Sequence, residues 1–336
     1  MKNLLYIGNK LSEHGNTATS IESLGFFLES EGYKVYYASS KKNQILRMID
    51  MIWKTLKYAK KVDFVLIDTY STFNFWYTLI ISQMCRILKI KYITKLHGGD
   101  LPNRINKSRI FCNLIFQNAH VNVAPSNYLF EAFHNNGYNK LLYIPNTIEL
   151  QNYPFRKREV IAPKLLWVRS FAKIYNPTMA IKVLSRLKNE FPQATLCMVG
   201  PVKDESYLEA VQLAKDLNVD VNFTGKLSKT EWTELSKQYD IFINTTHFDN
   251  TPISVIEAMA LGLTVVSTNV GGISFLLQHQ ENALLVADND VDNMVIEIKN
   301  LINNSKLTFH ISDNARKTVK NFDWEVVKKQ WFELLN

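Results

Sequence analysis

"YDIFINTTHFDNTPISVIEAMALGLTVVST", residues 239–268, decides the fold. It opens with "YDIFINT" and closes with "LTVVST", two short runs rich in β-branched and aromatic residues. Between them lies "ISVIEAMALG", which reads as a helix ending at Gly262. A helix between two such strands is the unit of a parallel α/β sheet. Ligands of open α/β sheets bind at the carboxyl ends of the strands, and "YDIFINT" delivers His247, Phe248 and Asp249 to that rim. Thr251 reads as the N-cap and Pro252 as the first helical residue, where a missing N–H costs nothing. The helix therefore begins at the rim with free backbone N–H groups, an arrangement suited to phosphate.

Outward from this unit the same alternation fills the chain. "NLLYIG", "YKVYYAS", "DFVLID", "KYITKLHGG", "HVNVAPS" and "LLYIPNT" are strands of the first half. "KLLWVRS", "ATLCMVG", "VNFTG" and "ALLV" join the two quoted strands in the second half. Helices lie between them, among them "TATSIESLGFFLESEG" and "NPTMAIKVLSRLKNEF". This pattern implies two parallel sheets, each covered on both faces. The join falls in "IPNTIELQNYPFRKREVIAPK", which is polar and holds three prolines. This predicts one domain over residues 1–153 and a second over 154–318. Residues 319–336 are expected to pack back on the first domain, with Trp324, Val327, Trp331 and Leu334 on one helical stripe.

A chain of 336 residues suits two cores rather than one. Its three cysteines, Cys85, Cys112 and Cys197, are widely spaced, which argues against a disulfide framework or a zinc site and for a reducing cytosol. The amino terminus lacks the long apolar run and small-residue cleavage site of a secretory signal. "FNFWYTLIISQMCRILKIK" is apolar, but Asn74, Gln83 and Arg86 interrupt it, so it reads as a buried helix rather than a membrane span. The net charge of +8 sits wholly in residues 1–150, where 18 Lys and Arg face 10 Asp and Glu. Such asymmetry fits an anionic partner for that half, or merely a soluble basic surface. "QILRMIDMIWKTLKYAKK", residues 44–61, places Ile45, Met48, Ile49, Ile52, Leu56 and Ala59 where they can share a helical face. One reading packs that face on the sheet. The other adds reversible electrostatic attachment of Lys54, Lys57, Lys60 and Lys61 to an anionic membrane surface, without insertion.

Asp249 and Glu257 stand eight positions apart, one on the turn into the helix and one about two turns inside it. Two acids around a phosphate-binding helix start suit a nucleotide sugar, one gripping ribose hydroxyls and the other the transferred sugar. The plainer alternative makes Asp249 a cap or dipole partner and Glu257 a solvated surface charge.

"DNTPISVIEAMALGLTVVSTNVGGI" resembles the signature of the retaining family 4 glycosyltransferases, which have the GT-B fold of two Rossmann-like domains with parallel sheets facing across a cleft. "VRSFAKIYNP", "CMVGP", "FTGKLSKTEW", "LHGGD", "VAPSNYL" and "IPNTIE" extend the resemblance over most of the chain, least over residues 40–90. It implies that Arg169 and Lys173 neutralise the donor diphosphate, stabilising charge that grows on the leaving group. It implies further that Glu257 holds the ribose and that Asp249, where the family usually has Glu, lies near the donor sugar. Asn250, Thr251 and Pro252 would line the phosphate and sugar site, and Gly225 and Leu227 would seat the base. In the first domain Gly15, followed here by Asn16 rather than a second glycine, would belong to the loop that closes on the diphosphate. His97 would lie beside the donor sugar, though a histidine at a strand end taken alone is more often structural. Asp100 and Arg104 would face the acceptor. Phe275 stands where the family commonly has Glu.

The resemblance implies a retaining, metal-independent transfer of a sugar from a nucleoside-diphosphate sugar to a glycan or lipid-linked acceptor. Surface polysaccharide or glycoconjugate synthesis in a bacterium is the expected setting. No cofactor is implied, and UDP is favoured over GDP. No Asp-x-Asp and no metal-ligand spacing occurs in the sequence. A cytoplasmic protein, peripheral at the inner membrane face, is expected. Two rivals stay open: a sugar-nucleotide epimerase of the same fold, and a non-catalytic relative that binds membrane or polyanion. No Walker loop or RNA-binding motif supports a nucleic-acid role.

Overall fold

The computed structural model describes residues 2–14 and 19–336. The alternating runs form two six-stranded sheets in which every pairing is parallel. In chain order the first sheet holds β1 (Asn3–Ile7), β2 (Lys34–Ala38), β3 (Phe64–Thr69), β4 (Lys91–Leu96), β5 (Val121–Ala124) and β6 (Leu141–Tyr143). Their spatial order is β2-β1-β3-β4-β5-β6. The second sheet holds β7 (Lys164–Val168), β8 (Thr195–Val199), β9 (Asn222–Gly225), β10 (Ile241–Asn244), β11 (Thr264–Thr268) and β12 (Leu284–Val286). Here the order is β12-β11-β10-β7-β8-β9. Each sheet thus reverses its winding once, between β1 and β3 in the first and between β7 and β10 in the second. Such switch points open a crevice at the carboxyl ends of the two strands that flank them.

Burial on both faces explains the near-continuous apolar strands. In the second sheet Leu165, Trp167, Met198 and Ile243 enter one core, while the alternating Leu166, Cys197, Phe242 and Val265 enter the other. The β3 residues Phe64–Thr69 are buried throughout. The helix Phe75–Ile87 buries Phe75, Tyr77, Ile81 and Cys85. Among the described residues no helix is long and apolar enough to cross a membrane.

The chain divides into a first unit, Met1–Pro145 with Lys328–Asn336, and a second, Asn146–Val327. The change comes eight residues before the 153/154 boundary expected from composition, because residues 146–153 pack within the second unit. Ile148 and Tyr153 are buried in a core of that unit, and the Ile148 N–H donates to the Phe322 carbonyl at 2.9 Å. The terminal helix Trp324–Leu335 buries Trp324, Val327 and Trp331, with Leu335 rather than Leu334 completing the stripe.

The helix Gln44–Tyr58 corrects the sequence reading most. Ile45, Leu46, Ile49, Trp53 and Leu56 are exposed, from 52% at Trp53 to 71% at Ile45. The buried line is Arg47, Met51 and Thr55, with Met48 and Ile52 half-buried beside it. Polar anchors set this rotation. Arg47 donates to Asn9 Oδ1 at 2.7 Å and to the Lys42 carbonyl at 3.0 Å, and Lys54 Nζ donates to the Tyr37 carbonyl at 2.9 Å. Tyr58 stacks on Tyr36 at 4.1 Å between centroids. Helical spacing alone cannot tell which of two semi-apolar stripes turns inward.

Candidate functional site

At the switch point of the second sheet the chain leaves β7 through Arg169 and leaves β10 after Asn244. The two meet: Arg169 Nε and one terminal nitrogen donate to Asn244 Oδ1 at 3.2 and 3.1 Å. That same nitrogen lies 3.0 Å from Asp249 Oδ2. Asn244 is itself held by donating from Nδ2 to Ser267 Oγ at 2.9 Å. The guanidinium lies over the Tyr175 ring at 5.1 Å. Such a frame fixes a cation at the rim with little freedom left to lose. The backbone beneath Arg169 is crowded: a Cβ at Gly200, where φ is +155°, would lie 1.7 Å from the Arg169 carbonyl oxygen. Only glycine fits there.

The turn 249–252 is braced from behind by the Gly-Gly pair. The Gly272 N–H donates to the Asp249 carbonyl at 2.8 Å. A Cβ on Gly271, φ +55°, would fall 2.4 Å from that oxygen, and one on Gly272 would fall 2.2 Å from the Asn250 carbonyl. Asn250 and Thr251 are buried. The helix Ile253–Ala260 starts one residue later than expected, with Pro252 at the cap, φ −70° and ψ 116°, and no side-chain cap bond. Pro252 is itself extended rather than helical, so it takes the cap position and Thr251 falls one residue outside it. The N–H groups of Ile253 and Ser254 have no carbonyl one turn back within the helix. Ser254 Oγ beside them is buried without a partner among the described residues.

Glu257 is 4% exposed, which removes the reading of a solvated surface charge. Its Oε1 accepts from Tyr153 Oη at 2.6 Å and pairs with Lys229 Nζ at 2.8 Å. Burial first, then Glu257, pushes the Tyr153 phenol well up, so it stays a donor. Lys229 reaches in from the start of the helix Lys229–Leu235, next to β9. Gly225 ends β9 with φ +72° and open space where a side chain would be, and Leu227 packs against the core that Glu257's helix helps to build.

Lys173 does not join Arg169. Its side chain is 60% exposed and pairs with Glu205 Oε1 at 2.7 Å, which raises its pKa. Asp204 holds its backbone, accepting from the Lys173 N–H at 2.9 Å. The short segment after Phe171 turns this lysine toward the acidic start of the helix Ser206–Asp216. Phe275, in the helix Ile273–Leu276, is 42% exposed. Gly15 and Asn16 lie outside the described residues.

In the first unit His97 follows β4, and its Nε2 lies 2.8 Å from Asp68 Oδ1 at the end of β3. The imidazole stacks on Tyr70 at 4.9 Å and 18°. Its pKa is lowered, chiefly by burial; Asp68 opposes the shift and Lys95 adds to it. Asp100 is exposed at the start of the helix Leu101–Lys107 and accepts from Asn103 Nδ2 at 2.8 Å. Arg104 is committed locally: Nε donates to the Ser71 carbonyl at 2.8 Å, a terminal nitrogen bonds the same oxygen, and the guanidinium lies 5.1 Å from the Phe75 ring centre.

Asn244, Tyr153, Lys229 and Asp68 are the partners that sequence reasoning passed over. Asn244 and Asp68 were legible only as polar residues at the ends of apolar strands. Tyr153 lies 104 residues from Glu257 and carried no local signal. Among the described residues no group of three or more His, Cys, Asp or Glu could hold a metal ion.

Known proteins share parts of this sequence and its fold. Residues 154–318 match the family model of the glycosyl transferases, group 1. An uncharacterized glycosyltransferase of Haemophilus influenzae is 30% identical over 156 residues, 46% of this chain and 44% of that protein. This chain thus spans less than half the length of that relative. Among solved structures, sucrose-phosphate synthase of Thermosynechococcus elongatus superposes with a TM-score of 0.82 at 15% identity, covering 99% of this chain and 98% of that one. The Anabaena protein HepE in complex with UDP gives 0.79 at 17% identity, covering 100% and 99%. Both likenesses are of fold, the GT-B fold of two Rossmann-like domains. The match to the group 1 glycosyl transferases thus falls on the domain that carries Arg169, Asp249 and Glu257.

Proposed function

We propose that this chain is a retaining glycosyltransferase that moves a sugar from a nucleoside-diphosphate sugar to a glycan or lipid-linked acceptor without a metal ion. One observation carries the reading: Arg169, framed by Asn244 and Asp249, stands at the switch point of the second sheet, where the helix Ile253–Ala260 begins. A fixed guanidinium and the unbonded N–H groups of a helix start together suit a diphosphate. The unpartnered Ser254 Oγ adds a hydroxyl to that anion site. Glu257, about two turns along, presents a buried carboxylate already polarised by Tyr153 and Lys229, which suits a ribose diol. Gly225 and Leu227 seat the base beside Lys229. UDP is the favoured carrier, since the structures of the Anabaena protein hold UDP and UDP-glucose.

In the reaction the bond from the anomeric carbon to phosphate breaks and the nucleoside diphosphate leaves with its electron pair. The acceptor oxygen bonds the same face of the sugar, and its proton passes to the departing phosphate oxygen. Arg169 stabilises the charge that develops on that oxygen. Asp249 positions the sugar in the second unit, His97 is the sugar-binding histidine proposed for the first, and no dedicated base is assigned. Lys173 is left as an outlying cation. A glycan or lipid-linked acceptor in surface glycoconjugate synthesis remains the setting proposed for the acceptor.

Membrane attachment belongs to the same reading, in altered form. The exposed apolar row on the helix Gln44–Tyr58 supports shallow burial in an anionic lipid surface rather than purely electrostatic contact. Lys57 lies 4.4 Å from the Trp53 ring centre and would snorkel toward headgroups. Lys54 is tied to Asp50 and to Tyr37, which removes it from the lipid-facing set.

A thermal-shift series against UDP-, GDP-, ADP- and dTDP-sugars tests the transferase reading, because a ligand that binds only the native state raises its stability. A rise in Tm with one nucleotide sugar is expected. A Tm unmoved by all four would overturn it, and release of an epimerised nucleotide sugar without acceptor would turn the reading to an epimerase.

A further inference from the structure

Beneath His97 lies a chain of buried polar groups that the proposed reaction does not use. Asp68 is fully buried, and its Oδ1 accepts from Tyr6 Oη at 3.0 Å besides meeting His97 Nε2. Tyr6 Oη lies 3.1 Å from Ser20 Oγ, and Ser20 Oγ accepts from Lys95 Nζ at 2.5 Å. Tyr77 Oη donates to the Asp68 backbone carbonyl at 2.6 Å, locking the strand end. Asp68 Oδ2 is buried with no partner among the described residues. A Cβ on Gly8 would lie 2.7 Å from it, so the carboxylate has its space only because glycine stands at that strand end.

The direction of each bond is set by its end groups. An ammonium only donates, so Ser20 Oγ accepts from Lys95 and passes its own proton to Tyr6 Oη. Tyr6 then donates to Asp68. Burial raises the Tyr6 pKa, and that of Tyr70 beneath the imidazole, so both phenols keep their protons. Burial likewise brings Lys95 down to about 8, which leaves it mostly cationic at neutral pH. A carboxylate surrounded by donors is an acceptor, so the bond to His97 must come from Nε2–H. A neutral imidazole protonated at Nε2 carries its lone pair on Nδ1.

We propose that Asp68 is a positioning residue: through Oδ1 it fixes His97 in the tautomer protonated at Nε2, and Nδ1 then accepts a hydrogen bond from a hydroxyl of the transferred sugar. The Tyr70 stack fixes the plane of the ring, and the buried ammonium of Lys95 balances the carboxylate through Ser20 and Tyr6. The tautomer is set by contacts within the first unit; the sugar hydroxyl rests on the transferase reading.

Two measurements test this on the full chain. Histidine-selective 15N NMR at pH 7 should show His97 protonated at Nε2 and bare at Nδ1, assigned by its loss in His97→Ala. A signal protonated at Nδ1, or an imidazolium, would overturn the proposal whether or not any variant folds. Kinetics supply the second arm. Asp68→Asn should lower kcat on the order of 10²-fold with donor KM little changed, as expected for a misdirected contact. The Asp68→Asn, His97→Ala double variant should be no slower than His97→Ala alone. Losses that multiply would show that Asp68 acts otherwise than through His97, and the proposal would fall. A wild type that turns over no nucleotide sugar would sink the transferase reading and the sugar hydroxyl with it, while the tautomer would still be decided by NMR.

Discussion

At the first switch point, between β1 and β3, a buried carboxylate holds an imidazole. At the second, between β7 and β10, a guanidinium is held by an amide and a carboxylate. Both sites stand where open parallel sheets part their strand ends. Their contents differ in kind. The Asp68 cluster is turned inward: Oδ1 meets Tyr6 and His97, Oδ2 is buried without a partner among the described residues, and Lys95 bonds Ser20. The Arg169 cluster adjoins a helix start whose N–H groups and Ser254 hydroxyl still want an acceptor. The contrast teaches that the winding provides the crevice while the last residues of each strand decide what it binds. A buried network can orient one group, whereas a cluster beside a helix start suits a charged ligand.

The largest effect should come from the open site. Arg169→Ala is expected to lower kcat on the order of 10²-fold or more at saturating donor, because a fixed cation is lost where charge develops. Normal turnover in steady-state assays would break the contrast by showing the frame to be structural. Glu257→Gln should raise donor KM on the order of 10-fold and leave kcat nearly unchanged, since a ribose contact is present in ground and transition states alike. A lowered kcat at constant KM would move Glu257 from binding to chemistry.

The two units also differ in surface, and this sharpens the comparison. Changing Ile45, Ile49 and Trp53 together to Ser should reduce sedimentation with anionic liposomes several-fold, because each removed side chain forfeits apolar burial. High salt should weaken but not abolish wild-type binding. Complete loss in salt, with the triple variant binding like wild type, would restore a purely electrostatic attachment. The smallest effect is expected at Lys173. Its exposed ammonium is paired with Glu205, so Lys173→Ala should change kcat/KM less than about threefold, within the range of surface ion pairs. A loss approaching that of Arg169→Ala would mean that Lys173 leaves Glu205 when donor binds.

Much of this was legible in the residues. Asp249 and Glu257 in one strand-turn-helix segment already suited a nucleotide sugar at a rim, and Arg169 came from the resemblance. The resemblance named the chemistry those residues suit. Lys173 pairs with Glu205 rather than standing beside Arg169, because spacing along a chain does not show which way a short segment after a strand end will turn. Thr251 misled for a local reason: Pro252 is extended rather than helical and takes the cap position itself.

What the residues determined by themselves is the architecture: twelve short apolar runs alternating with helices leave parallel sheets as the economical burial, and the motif near residue 250 resembles the family whose model residues 154–318 match. Tertiary structure alone decided the pairings. Tyr153 and Lys229 converge on Glu257, Asn244 and Asp249 frame Arg169, and Asp68 meets His97, each across loops that no periodicity spans. It also decided which stripe of the helix Gln44–Tyr58 faces water. Local propensity is a property of neighbours in sequence, but hydrogen-bond partners and burial are set by neighbours in space, which the chain acquires only when both sheets have formed.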